Sequence, residues 1–201
     1  MKKFVTLILF SIAVLQSYGQ TAESFLKLGQ NRAIKGDYTG AIADYDKAIE
    51  LNPKYAYAYF SRGYAKQTIK DYKGAIADYT KAIELNPKDA DVYNNRGSAK
   101  RKLEDYRGAI ADYTKAIELN PKFADAYNNR GNAKANLQDY RGAIADYTKA
   151  IELNPKDADA YFNRGNAKFI LKEKDGACLD WSKAGELGDA NAYDLIKKYC
   201  N

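Results

Sequence analysis

The sequence contains no histidine, two cysteines and four prolines among its 201 residues. Because histidine is the usual proton shuttle and the commonest metal ligand, its absence argues against most acid–base catalysis and most metal sites. Two cysteines are too few for a disulfide-dense small domain or for an all-cysteine zinc site. Four prolines and 14 glycines are too few for low-complexity linkers, which are rich in these residues.

The residues that are present indicate one folded domain or repeat domain, since 46% are apolar and 29% are charged. No nucleophile elbow, phosphate-binding loop or zinc-protease motif occurs, so we expect no enzyme, no catalytic residues, no cofactor and no metal. The net charge is +6, but basic and acidic residues alternate along the chain. A nucleic-acid partner is therefore not expected.

The first residues have the three-part pattern of a secretory signal peptide. Two lysines precede the uncharged run FVTLILFSIAVL at residues 4–15, and small residues follow at Ser17 and Gly19. The alternative is a membrane anchor, but the run is shorter than the ~20 residues that cross a bilayer. We therefore predict cleavage of residues 1–19, no membrane span afterwards, and an exported protein that is periplasmic or secreted. So short a signal with paired lysines is typical of bacteria.

The rest of the chain repeats one unit. The segment DYRGAIADYTKAIELNPK occurs at residues 105–122 and 139–156, and near-identical copies begin at residues 37 and 71, always 34 residues apart. The period predicts a repeat domain at residues 20–201. Its units are 22–55, 56–89, 90–123, 124–157 and 158–191, with a capping helix at 192–201 that covers the last apolar face.

Each unit contains two helical patterns, such as residues 124–137 and 142–153. Asp139 is the expected N-cap of the second helix, and Asn154-Pro155 ends it because the residue before proline avoids the α region. Certain unit positions recur: glycine at 8, alanine at 20 and an aromatic residue at 24 in all five units, and proline at 32 in the first four. In the central units these are Gly63, Gly97 and Gly131; Ala75, Ala109 and Ala143; Tyr79, Tyr113 and Tyr147; and Pro87, Pro121 and Pro155.

This pattern resembles the tetratricopeptide repeat (TPR) closely, over residues 22–191. The resemblance implies an all-α, right-handed α-solenoid of five helix–turn–helix units plus the C-terminal capping helix. Glycine within a helix costs ~1 kcal/mol relative to alanine. A glycine repeated at one position therefore indicates two helices in close approach, with the tyrosines filling the space beside them.

The chain departs from the usual pattern at unit position 7, where an apolar residue is common and arginine stands in units 2–5. Position 23 is aspartate in every unit and faces the first helix. We therefore predict ion pairs within the units: Arg62 with Asp78, Arg96 with Asp112, Arg130 with Asp146, and Arg164 with Asp180. The alternative is that the arginines form a repeated basic groove.

The two cysteines lie in the last unit and the cap. Export permits a disulfide between Cys178 and Cys200. The alternative is a small buried thiol, because Cys178 takes a place that isoleucine occupies in other units.

The TPR resemblance implies that a ligand lies in a concave groove lined by the first helix of each unit. Amides suit an extended peptide backbone because they both donate and accept hydrogen bonds, and exposed aromatic rings are common anchors. The predicted peptide-binding residues are Tyr57, Phe60, Tyr64, Asn94, Asn95, Asn128, Asn129, Asn132, Phe162 and Asn166. The alternative is that these polar residues only solvate the face.

One TPR subtype clamps a C-terminal carboxylate with lysine at position 5 of one unit and with lysine at position 2 and arginine at position 6 of a later unit. No unit here has lysine at position 5, and position 2 is acidic in Asp91, Asp125 and Asp159, so that function is excluded. We expect a non-catalytic scaffold or adaptor that binds a protein or peptide. Two alternatives stay open, a glycan-binding envelope protein and a self-assembling structural protein.

Overall fold

The computed structural model describes residues 21–200 of the chain, and the predicted signal peptide lies outside them. All regular secondary structure in this part of the chain is α-helical. None of the described helices combines the length and the apolar character that a bilayer span requires. The described residues divide into two compact units, the first ending at residue 87 and the second beginning at residue 88, which are described separately below.

The first compact unit contains two helical hairpins. Its helices are α1 (Ala22–Ile34), α2 (Tyr38–Leu51), α3 (Ala56–Thr68) and α4 (Tyr72–Leu85). Within this unit, α1 packs against α2, α2 against α3, and α3 against α4. Their contact surfaces are built from alanines and large rings, and Ala41 and Ala48 are fully buried beside Tyr45.

The second compact unit continues the same pattern with three hairpins and a final helix. Consecutive helices again pack against each other. The helices are α5 (Ala90–Lys102), α6 (Tyr106–Leu119), α7 (Ala124–Asn136), α8 (Tyr140–Leu153), α9 (Ala158–Ile170), α10 (Lys174–Glu186) and α11 (Ala190–Tyr199). The predicted all-α, helix–turn–helix fold class is therefore confirmed.

An aspartate caps the second helix of each of the first four repeats. In the fourth, Oδ1 of Asp139 accepts a hydrogen bond of 2.9 Å from the backbone N–H of Gly142, as expected of an N-cap. The helix begins at Tyr140, before the predicted residue 142, because the cap orders this first turn. The preceding turn contains Gln138 at a positive φ of 63°, a conformation that glycine adopts in the first repeat at Gly36.

The glycine at unit position 8 lets an aromatic ring of the second helix lie against the first. In the fourth repeat the ring is Tyr147, which is 2% exposed and packs beside Gly131. Fully buried alanines, including Ala143 and Ala150, complete the same surface. The interhelical approach predicted from the repeated glycines is therefore present.

The final helix α11 packs against α10 and covers the last aromatic core. It begins at Ala190, before the predicted residue 192, because the Asp189 side chain caps it by accepting from the N–H of Asn191 at 2.9 Å. A disulfide joins Cys178 of α10 to Cys200 directly after α11. The ring of Tyr199 lies beside Phe169 and Trp181, so this end of the core is enclosed.

Candidate functional site

The arginine at unit position 7 binds the buried aspartate at position 23 through two parallel hydrogen bonds. In the fourth repeat, Nε of Arg130 donates to Oδ2 of Asp146 at 3.0 Å and Nη2 donates to Oδ1 at 2.7 Å. Charged pairs with this bidentate geometry are among the strongest hydrogen bonds in proteins. The other three predicted pairs are present with the same geometry: Arg62 with Asp78, Arg96 with Asp112, and Arg164 with Asp180.

Each of these aspartates also binds a lysine that the sequence did not lead us to pair with it. The ammonium of Lys134, at unit position 11, lies 2.7 Å from Oδ2 of Asp146. The side chain of Asp146 is only 5% exposed, so two cations compensate one buried carboxylate. The corresponding lysines in the other repeats are Lys66, Lys100 and Lys168.

The arginines also reach the preceding repeat. Nη1 of Arg130 donates to Oγ1 of Thr114, and Nη1 of Arg164 donates to Oγ1 of Thr148, both at 3.1 Å. In the first compact unit Asp46 replaces the threonine, and its Oδ1 lies 2.6 Å from Nη1 of Arg62. Burial opposes the charge of Arg62, yet the hydrogen bonds to two aspartates raise its pKa above the ordinary value. These arginines therefore act within and between repeats and do not form a free basic groove.

The predicted aromatic residues of the first compact unit lie on α3. Tyr57 and Tyr64 are each about half exposed. Phe60 is partly buried, with its ring 5.9 Å from the ring of Tyr57 and 6.0 Å from that of Tyr79. The rings of Tyr57 and Tyr64 are thus available for contact with a partner, and the ring of Phe60 lies near Tyr57 and the core residue Tyr79.

In the second compact unit, the first helices and the turn before α9 line an open polar pocket of about 470 Å³, here called the amide pocket. Three predicted residues line it, and the Nδ2 group of Asn129 donates a 3.1 Å hydrogen bond to Oδ1 of Asn94. The Oδ1 atom of Asn128 is buried and finds no hydrogen-bond partner among the residues that the structure describes. The principal lining residues are Asn94, Asp125, Asn128, Asn129, Asn154 and Asp159.

Other predicted groove amides serve the fold instead. Oδ1 of Asn132 accepts from the hydroxyl of Tyr147 at 2.8 Å, and Oδ1 of Asn166 accepts from the indole N–H of Trp181 at 3.0 Å. The Nδ2 group of Asn95 donates to a carbonyl of its own helix. These side chains do not line the amide pocket, which depends on Asn94, Asn128 and Asn129. Phe162 is likewise partly buried and packs against the last aromatic core.

The cation of Arg101, which the sequence analysis did not single out, acts on the pKa values of two buried tyrosines in this compact unit. Burial raises the pKa of Tyr113, while Ser98 and the nearby Arg101 act in the opposite direction. Burial raises the pKa of Tyr147 in the same way, and Arg101 again opposes the shift. Nε of Arg101 is buried and has no hydrogen-bond partner. A cation at unit position 12 is visible in the sequence, but its proximity to these hydroxyls depends on the packing of successive repeats.

The arrangement offers amide donors and acceptors, carboxylates and exposed rings, which suit recognition of a polar ligand. Within residues 21–200, no three side chains of the metal-ligating types lie together as a metal site would require. The tyrosines that the core encloses are held as neutral groups by burial, so they supply packing and hydrogen bonds.

Comparison with known families identifies the repeat. A family model described as TPR repeat matches residues 29–68, 69–103 and 97–138, and models described as Tetratricopeptide repeat match residues 124–157 and 146–179. No curated protein sequence matches the chain.

Several solved structures are similar to the chain. The crystal structure of MamA is 29% identical with a TM-score of 0.76, covering 82% of this chain and 96% of that one. YrrB, described as a TPR protein with an unusual peptide-binding site, is 25% identical with a TM-score of 0.76, covering 94% of this chain and 97% of that one. PilF of Pseudomonas aeruginosa shares the fold at 22% identity and a TM-score of 0.78, covering 87% of this chain and 80% of that one.

The sequence period, the helical hairpins and the family matches agree. The TPR repeat matches alone extend from residue 29 to residue 138, which is more than half of the chain. The chain therefore belongs to the tetratricopeptide repeat family.

Proposed function

We propose that the protein is a non-catalytic scaffold that binds a peptide or protein partner on the first helices of its repeats. The observation that carries this proposal is the amide pocket, where Asn94 and Asn129 are linked by a hydrogen bond and Asn128 keeps a buried acceptor without a donor. A buried acceptor of this kind is costly unless a partner satisfies it. A peptide N–H group supplies the missing donor, and the similarity to a TPR protein with a peptide-binding site supports the same function.

The experiment is chemical crosslinking to a cell-envelope extract, followed by identification of the captured protein. It compares the parent protein with two variants, Asn94→Ala/Asn128→Ala and Tyr57→Ala. The matched control is Lys149→Ala, which removes an exposed side chain from the second helix of a repeat. We expect one partner that the parent and the control both capture and that at least one pocket or ring variant loses. Equal capture by all four proteins contradicts the proposal.

Export is part of the proposed function. Its supports are the charged, apolar and small residues at the start of the sequence and the disulfide between Cys178 and Cys200, since disulfides persist in oxidising compartments. Sequencing the N-terminus of the native protein tests it directly. We expect Gln20 as the first residue of protein isolated from the periplasm or the medium. Retention of Met1 on protein isolated from the cytoplasm contradicts export.

A glycan ligand is the second candidate, and one observation favours it. Tyr57 and Tyr64 present rings that are about half exposed on one helix, and rings in this setting can stack on sugars as well as on side chains. If a glycan is the ligand, we expect soluble cell-wall fragments to change the tyrosine fluorescence of the parent protein. The double variant Tyr57→Ala/Tyr64→Ala should abolish this change. An unchanged signal in the parent protein excludes this candidate.

A further inference from the structure

Two carboxylates without partners lie in the amide pocket. Asp125 is in the first turn of α7, and Asp159 is in the first turn of α9, one repeat later. Both are exposed, and neither side chain forms a hydrogen bond or an ion pair within residues 21–200. They differ from the buried aspartates at unit position 23, each of which already binds cations.

Two of the pocket amides are engaged with each other, since Nδ2 of Asn129 donates to Oδ1 of Asn94. The Oδ1 atom of Asn128 is buried and has no hydrogen-bond partner among residues 21–200. Asp157 also lines the pocket, although its Oδ1 already accepts from the N–H of Ala160 at 3.0 Å.

The charge of the pocket is negative. Three aspartates line it and Lys156 is the one cation among its lining residues. The carboxylates of Asp125 and Asp159 would repel an anion. A cation with several N–H groups could instead form ion pairs with both carboxylates and donate a hydrogen bond to Oδ1 of Asn128. Among the described residues no three side chains of the metal-ligating types lie close enough together to hold a metal ion, which favours an organic cation. The volume, about 470 Å³, is in the range of sites that hold a small group.

We infer that the amide pocket receives a lysine or arginine side chain of the bound peptide. This inference rests on the proposed function and adds the chemical class of the ligand. The ammonium or guanidinium group lies between Asp125 and Asp159, and one of its N–H groups, or the adjacent peptide N–H, donates to Oδ1 of Asn128.

The probe is a phage-displayed library of random peptides, selected on the immobilised protein at low salt. The double variant Asp125→Asn/Asp159→Asn removes both charges without changing side-chain volume. The matched control is Asp91→Asn, which makes the same change at the same unit position in α5, outside the lining of the pocket. Circular dichroism verifies that all the proteins are folded.

We expect the selected peptides to share a lysine or arginine at one position. A fluorescein-labelled synthetic copy of one such peptide should bind the double variant at least tenfold more weakly than the parent. It should bind Asp91→Asn within twofold of the parent, and binding to the parent should weaken as salt is added.

Two outcomes overturn the inference, and they are distinguishable. If peptides are selected but carry no shared basic residue, or bind the double variant as tightly as the parent, the inference is wrong while peptide binding stands. If no peptide is enriched on the parent protein, both the inference and the proposed function are wrong.

Discussion

A Cβ atom on Gly131 would lie 2.6 Å from Cε1 of Tyr147, closer than any real contact between these atoms. Replacing Gly131 with alanine must therefore displace a buried ring. We expect Gly131→Ala to lower the free energy of unfolding by about 2 kcal/mol through overpacking, although alanine favours the helix by ~1 kcal/mol. Urea unfolding followed by circular dichroism measures the change.

The control for this variant is Gly176→Ala in the first turn of α10. There the nearest atom to the added Cβ is Cδ of Lys168 at 3.2 Å, a methylene that can shift by a few tenths of an ångström while the ammonium stays on Asp180. The free energy of unfolding should change by no more than about 0.5 kcal/mol. Equal effects of the two substitutions would show that helix propensity, and not the ring, determines the residue at position 8.

Removing one buried carboxylate should be far more harmful than removing an exposed ion pair. We expect Asp146→Ala to lower the free energy of unfolding by about 3 kcal/mol, because Arg130 and Lys134 lose their shared partner. The exposed pair of Lys149 and Glu152 provides the comparison, and the double alanine variant should unfold at nearly the same urea concentration as the parent. Similar unfolding midpoints in urea for the two variants would contradict the role given to Asp146.

The disulfide should stabilise the C-terminal end of the chain. Cys178 and Cys200 are 22 residues apart, and closing a loop of this length contributes about 3 kcal/mol. We expect a reducing agent to lower the melting temperature of the parent protein and to leave Cys178→Ser/Cys200→Ser unaffected. A parent protein whose melting temperature does not respond, with complete reduction verified by mass spectrometry, would exclude a stabilising bond.

The buried tyrosines predict a loss of stability in alkali. Burial, with smaller effects from Tyr57 and Asp44, raises the pKa of Tyr45 to about 12, and burial also raises the pKa of Tyr147. Unfolded tyrosine ionises near pH 10, so above that pH the unfolded state releases protons that the folded state retains. The contribution of these neutral tyrosines to the free energy of unfolding is therefore fully present below about pH 10. It is lost as the pH rises through the raised pKa values of the folded state.

Melting temperatures between about pH 8 and about pH 12, together with ultraviolet absorbance of tyrosinate, measure this loss. Tyr147→Phe is the matched variant because it removes one ionisable hydroxyl and keeps the ring. Its melting temperature should fall less steeply with pH than that of the parent. Parallel curves for the two proteins would show that Tyr147 does not contribute to the alkaline loss.

The repeat itself made much of the fold predictable. The 34-residue period predicted the helical hairpins, and the coincidence of arginine at position 7 with aspartate at position 23 led to the pair of Arg130 and Asp146. The ion pair between Lys134 and Asp146 was not predicted. Lys134 lies one helical turn after Arg130, and only its long side chain brings its ammonium to the carboxylate of Asp146. The bond from Arg130 to Thr114 depends on how one repeat packs on the previous one, which a repeat pattern does not specify.

The groove was predicted less well than the fold. Asn132 and Asn166 were expected to face a ligand, but each accepts a hydrogen bond from a core aromatic side chain. One signal was available, since a buried tyrosine hydroxyl or indole N–H needs an acceptor and position 9 lies one residue after the glycine that the ring contacts. Asp125 and Asp159 were considered only as groups that repel a carboxylate, and their place in a shared pocket required the structure.

The central claim is that the amide pocket binds peptide, and the most direct measurement is the affinity of one phage-selected peptide for Asn128→Ala. Fluorescence anisotropy compares this variant with the parent and with Lys149→Ala, which lies on a second helix. We expect Asn128→Ala to bind about tenfold more weakly, the effect of losing one hydrogen bond of about 1.4 kcal/mol, and Lys149→Ala to bind as the parent does. Unchanged affinity in Asn128→Ala would contradict the claim.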